Sequence, residues 1–316
     1  MFVLVAALTG AATAHAQSPQ TLTLRVDNDA FDFWMMPYNR PDEEYTSGVH
    51  LTYTGGRAPW WSRFLVGNGG ACTYHAQSCQ SSRAELGQDI YTPSASTNNP
   101  QPAPGSRANA GWLYLSQSAR ALDASRSDEL SVTLGVTGPP SLARATQNLF
   151  HSIAPYFNRP TDWSRQIRFE PGAIIGYEQK RRLVAYSVGP IGFDLLPSVS
   201  VKAGNVETSA GAGLQTRLGL NLPHPWLPES MPVSLTFMAG VSGRAVLRDI
   251  FLDGNTVSPD YRVGHKAGVG AGEAGVEIRY RALMASYRVV DETRSYAAGP
   301  QWHPWGSLVA GVTFDR

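Results

Sequence analysis

The sequence predicts an all-β fold, a twelve-stranded antiparallel transmembrane β-barrel with a short helix in an extracellular loop. Three observations predict it. Charged residues make up only 16% of the 316 residues, while 31 residues are glycine and 10% are aromatic; an ordinary soluble domain is roughly 25% charged. Apolar and polar residues alternate along many segments, as in strands between a lipid-facing and a wet surface. After the N-terminus, no apolar run approaches the ~20 residues of a spanning helix.

The N-terminal segment and the two cysteines predict an exported protein. Residues 1–16 are typical of a secretory signal, because Phe2–Thr13 is almost wholly apolar and Ala14–Ala16 supplies a small-x-small cleavage pattern. Residues 17–316 then form one barrel domain. Cys72 and Cys79 are the only cysteines, and export favours a disulfide between them. The formal net charge of +1 gives no reason to expect nucleic acid as a partner.

The individual strands are recognised by a two-residue period. In Glu129–Thr137, every second residue is Leu or Val. In Gln166–Glu178 the charged residues share one face, which fits the polar lumen of a membrane barrel. Across Gly268–Gly275 the apolar phase shifts, which indicates a bulge. The predicted segments are Leu22–Asp29, Tyr45–Tyr53, Ala84–Tyr91, Ala108–Leu122, Glu129–Thr137, Gln166–Glu178, Arg182–Ala203, Ser209–Leu220, Met231–Arg248, Tyr261–Tyr280, Ala282–Val290 and Pro304–Phe314.

The lengths of the connections predict the orientation of the barrel. With a periplasmic N-terminus, the connections after odd-numbered strands face outward, and most of them are long. The connections at the other end include tight turns, as expected for periplasmic turns. The exception is Thr54–Ser81, a long inward loop that carries the cysteines.

The third outward connection contains the predicted helix. The preceding strand breaks at Gly138–Pro140, and Ser141 is a suitable N-cap. Gln147 and His151 are four residues apart, which places them on one face of a helix. Taken alone, the stretch is equally well explained as a surface loop with solvated polar residues.

Several polar residues meet at the predicted outer rim. Asp29 ends the first strand beside Asn28, Thr46 opens the second, Tyr91 ends the third, and His151 follows the fifth. Asp29 and Thr46 are in the lumen-facing phase of their strands. Carboxylate, amide and hydroxyl oxygens are hard donors that suit Ca²⁺, and a histidine accepts a proton from water near neutral pH. The structural alternative for the Asn28–Asp29 pair is a turn-initiating dipeptide.

Two serines are alternative nucleophiles. Ser47 is in the outward phase, and Ser141 is better explained as a helix cap, so a serine mechanism is less favoured. His50 lies deeper in the lumen phase and is expected to belong to a hydrogen-bond network.

These residues, in this order and spacing, resemble the outer-membrane lipid A 3'-O-deacylases of the LpxR type. The resemblance extends over essentially the whole mature chain. It is carried by Val26–Asp29, Glu44–Gly48, Gln88–Pro93, Gly138–Pro139, Gln147, His151, Trp163, Gln166 and Glu170–Pro171.

The resemblance implies calcium-dependent hydrolysis of the 3'-linked acyloxyacyl ester of lipid A in the outer membrane of a Gram-negative bacterium. By position, Asn28, Asp29, Thr46 and His151 match the family's active-site residues. The family also has a glutamate six residues beyond its histidine, where this chain has Phe157. Glu170 and Asp162 are candidates to take the place of that glutamate.

The sequence therefore predicts a monomeric carboxylic ester hydrolase whose substrate is lipopolysaccharide. His151 is expected to act as general base on water, and Asp29 and Thr46 to bind Ca²⁺. Asn28 and Gln147 are expected to position these groups or to donate to the oxyanion. Two alternatives stay open, an outer-membrane phospholipase and a non-catalytic barrel such as a channel or an adhesin.

Overall fold

The computed structural model describes residues 18–32, 42–63, 69–74, 76–96, 99–153, 162–230, 232–258 and 260–315. The predicted signal segment 1–16 and the Phe157 position lie outside these residues. None of the described helices is long and apolar enough to cross a membrane. The described part includes the helix α1 (Ala143–Ile153) and the short helix α2 (Ile250–Asp253).

Twelve long strands form one closed antiparallel barrel, which confirms the predicted fold. Each of the twelve pairs with the long strand before it and the long strand after it in the sequence, and the last pairs with the first, so that the sheet closes. The strands are β1 (Pro19–Asn28), β2 (Glu44–Gly55), β3 (Ser78–Thr92), β4 (Ala95–Ser96), β5 (Asn99–Pro102), β6 (Ala110–Asp123), β7 (Arg126–Thr137), β8 (Pro171–Arg181), β9 (Val184–Val188), β10 (Ile191–Gly204), β11 (Glu207–Leu220), β12 (Val233–Asp249), β13 (Gly268–Tyr280), β14 (Leu283–Thr293) and β15 (Trp302–Asp315). Of these, β4, β5 and β9 are short strands outside the set of twelve.

A row of leucines marks the lipid-facing side of the wall. One leucine from each of five adjacent strands lies directly opposite the next in the ladder, and each is 44% to 60% exposed. Exposed leucines in register across a sheet are costly in water and favourable in hydrocarbon. The row consists of Leu24, Leu51, Leu86, Leu115 and Leu134.

Two predicted strands begin earlier than the structure shows. Gln166–Glu170 precedes β8, because its backbone bonds with other loops: Ile167 N donates to the Asn109 carbonyl and Arg168 N to Asn255 Oδ1. The stretch before Gly268 likewise precedes β13. The predicted polar face of the segment Gln166–Glu178 therefore loses Gln166, Arg168 and Glu170 to the outer loop.

Two further details of the strand prediction are wrong. Arg182–Ala203 is divided between β9 and β10 by a turn at Gly189, whose φ of +56° favours glycine. No bulge occurs in β13, which pairs with β12 and β14 in unbroken register. The apparent phase shift arises because the buried Val269 lies in the same phase as the charged residues Glu273 and Glu277.

Packed loops narrow the lumen at both ends. At the outer end, the Phe251 ring of α2 stacks on Tyr91 at 4.5 Å between ring centroids. At the periplasmic end, Trp226 packs with the bonded pair Cys72–Cys79, which confirms the predicted disulfide. Between the two ends, the inner wall carries charged side chains held in ion pairs.

Candidate active site beneath an outer-rim helix

Helix α1 lies against the outer surface of the barrel wall. Its first residue, Ala143, is buried in a cluster with Ile90 of β3 and Trp163. The strand neighbours of Ile90 are Asp89 and Tyr91, which line the lumen, so Ile90 points away from the lumen. Gly111 of β6 permits this contact, because a Cβ there would overlap the Ser141 hydroxyl and the Ala143 side chain.

The two faces of α1 have opposite character. Ala143, Gln147 and His151, spaced four residues apart, are its buried residues, as the sequence predicts for Gln147 and His151. On the other face, Leu149 and Ile153 are 59% and 71% exposed. Because α1 rests on the wall that carries the leucine row, its apolar face continues the lipid-facing surface of the barrel.

The residue that connects Gln147 with His151 is Asp42, just before β2. Gln147 Nε2 donates to Asp42 Oδ2 at 2.6 Å, and His151 Nε2 lies 2.7 Å from the same oxygen. The indole Nε1 of Trp163 donates to Gln147 Oε1 at 2.9 Å. An indole N–H only donates, so this bond fixes the orientation of the Gln147 amide and directs its NH₂ group to Asp42.

The Asp42 contact also sets the state of His151. A carboxylate accepts hydrogen bonds, so Nε2 of the neutral imidazole carries the proton and Nδ1 carries the lone pair. Only 9% of His151 is exposed. The imidazole is thus oriented by a carboxylate, as a general base requires.

Asp29 lies next to this pair in a 3-10 turn that follows β1. It is buried, and its Oδ2 accepts a hydrogen bond from the Glu43 backbone N–H at 3.0 Å. Burial raises the pKa of Asp29 well above its usual range, and the nearby negative charge of Asp42 raises this pKa further. Asp29 therefore lies within electrostatic range of the carboxylate that contacts His151.

Asn28 and Thr46 occupy structural positions at the same corner. Asn28 Oδ1 accepts a hydrogen bond from Ala30 N and so caps the 3-10 turn. Thr46 is the additional residue of a bulge, because Tyr45 and Ser47 pair with the consecutive residues Tyr91 and Ile90.

The bulge changes the direction in which Thr46 points. Its hydroxyl bonds with that of Thr92 at 2.6 Å, and Thr92 alternates with the lumen-facing Tyr91. The prediction that Thr46 follows the lumen phase is therefore wrong, because alternation is broken at the bulge. Asp29 also leaves that phase, since β1 ends at Asn28. The Asn28–Ser47 pairing keeps Thr46 and Asp29 close together.

The other candidates have different roles. Glu170 accepts hydrogen bonds from Thr256 and Asn205, and Asp162 from Ser164, so neither supplies the carboxylate beside His151. Ser141 lies in a 3-10 turn, where its hydroxyl donates to the Gly138 carbonyl, and is not the predicted N-cap of α1.

The lumen contains a separate cavity of about 410 Å³ in its outer half. Tyr45, Tyr91 and Trp305 contribute to its wall, whereas Asp29, Asp42, Gln147 and His151 do not. The candidate site and the lumen cavity therefore lie on opposite faces of the barrel wall.

Sequence reasoning missed Asp42. Its only local signal is its place in the acidic run Asp42–Glu44 at the start of a strand. Such runs are usually solvated, and no spacing relates Asp42 to a helix more than one hundred residues later. Only the packing of α1 against the wall brings them together.

A closed antiparallel barrel with a lipid-facing apolar band and a polar lumen defines the class of bacterial outer-membrane β-barrel proteins. The model of the family described as "Outer membrane protein LpxR" matches residues 1–314. The chain belongs to this LpxR family of the Gram-negative outer membrane.

One solved structure supports the same fold. LpxR from Salmonella typhimurium is 20% identical, with a TM-score of 0.75; the match covers 93% of this chain and 100% of that one. The β-domain of the Bordetella autotransporter BrkA is 12% identical with a TM-score of 0.46, covering 95% of this chain and 99% of that one. No curated protein matches the sequence.

Proposed function

We propose that this chain is a calcium-dependent outer-membrane esterase that removes the 3'-linked acyloxyacyl group of lipid A, with water activated by His151. The observation that carries the proposal is the 2.7 Å contact between His151 Nε2 and Asp42 Oδ2 on the lipid side of the barrel wall. Family membership supports the coarser statement that the chain is a lipid A deacylase.

The location of the site suits a lipid substrate. The apolar face of α1 and the leucine row both face the hydrocarbon region, and the site lies between the helix and the wall. An acyl chain in the outer leaflet reaches this place from the side, without entering the lumen. The ester at the base of a lipopolysaccharide sugar lies near this level of the membrane.

The reaction is an ester hydrolysis that needs one base and one oxyanion donor. His151 Nδ1 takes a proton from water while the water oxygen bonds to the carbonyl carbon. When the bond between the carbonyl carbon and the 3' oxygen breaks, the imidazolium returns this proton to the departing 3' oxygen. The products are a free 3'-hydroxyl group and the acyloxyacyl carboxylic acid. Asp42 stabilises the imidazolium between the two steps.

The two amides have distinct roles in this scheme. The Gln147 NH₂ group is directed at Asp42, so Gln147 positions the carboxylate that orients His151. The Oδ1 of Asn28 is used by Ala30, which leaves its NH₂ group as the donor that we assign to the oxyanion.

The donors at this corner fit Ca²⁺ by chemical type. The described residues hold no group of three or more His, Cys, Asp or Glu side chains arranged as metal ligands. Asp29 and Asp42 are nevertheless close enough for their charges to interact, and a divalent cation relieves such repulsion. We assign Asp29 and Thr46 to calcium, with backbone carbonyls and water completing the oxygen shell. When bound, Ca²⁺ would polarise the ester carbonyl.

Mass spectrometry of lipid A tests the proposal. The wild-type chain, His151→Ala and the neighbouring Ser152→Ala are produced separately in a Gram-negative host, and each is confirmed as a folded outer-membrane protein. We expect the wild type and Ser152→Ala to remove one acyloxyacyl unit, and His151→Ala to be slower by about 10²- to 10⁴-fold, the usual contribution of a general base. Chelation of calcium is expected to stop the reaction.

The opposite results are equally clear. Equal activity of wild type and His151→Ala would remove His151 from the reaction, and activity in a chelator would remove calcium. Unchanged lipid A with all three chains would overturn the deacylase proposal. Phospholipids from the same cells then distinguish a phospholipase from a non-catalytic barrel.

A further inference from the structure

The segment that carries Asp42 is fastened to the barrel from the lumen side. Glu44 and Tyr45 lie two and three residues after Asp42, and both line the lumen cavity. Asp42, the Glu43 amide and Thr46 take part in the candidate site on the other face of the wall. Within the five residues 42–46, the chain therefore contributes side chains first to the outer face, then to the lumen face, and then to the outer face again.

Glu44 forms the first attachment. Only 4% of it is exposed, and its Oε1 accepts hydrogen bonds from Tyr296 and Ser94, both at 2.6 Å. Its Oε2 lies 3.5 Å from the Arg107 guanidinium. The φ of Glu44 is +57°, a conformation that residues other than glycine rarely adopt, so its side-chain partners hold a strained backbone in place.

Tyr45 forms the second attachment. Its hydroxyl donates to Asp27 Oδ2 at 2.9 Å and lies 3.2 Å from Asp89 Oδ1, with His50 Nε2 at 3.5 Å. Gly48 leaves room for this hydroxyl, since a Cβ at position 48 would overlap it. The Tyr45 side chain thus fixes the bulge that turns Thr46 to the opposite face.

We propose that Glu44 and Tyr45 are positioning residues for the site on the other face of the wall. Their side chains hold the bulged segment from the lumen, so that Asp42 meets His151 and Thr46 stays beside Asp29. This inference rests on the proposed function, because it gives the positioned residues their roles. Glu44 and Tyr45 act through the residues that they position, and neither side chain contacts the substrate or the calcium.

The test uses the full chain with three substitutions. Tyr45→Phe removes the hydroxyl and keeps the ring. Glu44→Gly removes the attachment and adopts a positive φ without strain, so a loss of activity reports the attachment and not the backbone strain. Tyr53→Phe is the matched control, because Tyr53 lies on the same strand and donates to Gln20 at the periplasmic end.

Kinetics and hydrogen exchange are then measured on folded protein in detergent. We expect Tyr45→Phe and Glu44→Gly to lower kcat at least tenfold and to raise the half-saturating calcium concentration several-fold. Tyr53→Phe is expected to leave both values at the wild-type level. Backbone exchange of residues 42–47 is expected to rise in the first two variants alone. A loss of rate explained by the unfolded fraction, measured by heat-modifiable gel mobility, would overturn the proposal.

Hydrogen exchange keeps this test separate from the proposed function. If the wild type shows no deacylation, the proposed function fails, but exchange in residues 42–47 still reports whether Glu44 and Tyr45 hold the segment. Wild-type exchange in both variants would overturn the attachment even if the deacylase activity is confirmed. Wild-type kinetics in both variants would overturn its positioning role.

Discussion

The two faces of the barrel wall near the outer end of β2 differ in the partners of their acidic side chains. On the lumen face, Glu44 lies beside the Arg107 guanidinium, and Glu292 of β14 pairs with Arg244 at 2.6 Å. On the outer face, no arginine or lysine of the described chain pairs with Asp29 or Asp42.

The difference separates structural from chemical use of charge. Paired charges are satisfied in the folded state and contribute to a fixed wall. On the outer face, burial and the charge of Asp42 raise the pKa of Asp29, and groups with a pKa shifted in this way are typical of functional sites.

Among changes to the partners of His151, Asp42→Asn is expected to have the largest effect, and it tests whether the outer face depends on that carboxylate. An asparagine keeps the size of the side chain but loses the charge that stabilises the imidazolium, so we expect deacylation to slow by roughly 10²-fold. Single-turnover rates on purified lipopolysaccharide measure this effect. On the lumen face, Glu292→Gln is the matched change and should leave the rate within about twofold. Equal losses in both variants would contradict the comparison.

Trp163→Phe is expected to have a smaller effect. It removes the N–H that directs the Gln147 amide and leaves a buried oxygen without its donor, a cost of about 1–3 kcal/mol in the free energy of unfolding. We expect activity to fall about tenfold because Gln147 no longer holds Asp42. Trp226→Phe removes a comparable indole bond, to the Asp123 carbonyl at the periplasmic end. That control should lose stability with little loss of kcat.

Asp29→Asn should separate stability from activity. Because its folded-state pKa is raised by burial and by Asp42, the protonated form favours the folded state at low pH. This stabilisation is lost as pH rises through the raised pKa. Without calcium at neutral pH, the amide should therefore stabilise the barrel by about 1 kcal/mol, while activity falls. Melting curves in a chelator, with Asp162→Asn as the exposed control, provide the measurement. A lower melting temperature would contradict the expectation.

The smallest effect concerns the outer loop of α2. Burial acts to raise the pKa of Asp253, but hydrogen bonds from the Asp249 amide and His265 outweigh it, and the net pKa is lowered. This contribution is present above the usual carboxyl pKa and is lost as pH falls below about 4. The protection factors of residues 250–253, which are corrected for the intrinsic pH dependence of amide exchange, should therefore fall at pH 3 relative to pH 7. In Asp253→Asn, these protection factors should be less sensitive to pH. Equal pH dependence in both proteins would remove Asp253 as the cause.

The barrel was predictable because its signal is local and repeated. Alternating residues identify each strand within about ten positions, and the turn lengths assign the ends. The boundaries before Pro171 and Gly268 were not predictable, because the loop backbones there are satisfied by distant groups such as the Asn255 side chain. Local patterns contain no information about such partners.

For the site, the sequence by itself determined the helix face with Gln147 and His151 and the acidic corner at Asn28–Asp29. Only the tertiary structure decided that α1 lies on the lipid side of the wall and that Asp42 is the partner of His151. The bulge at Thr46 was decided there as well, by lumen contacts of Glu44 and Tyr45. The physical reason is that alternation fixes the face of a residue only while the ladder is regular, and contacts across a closed barrel override it where the ladder breaks.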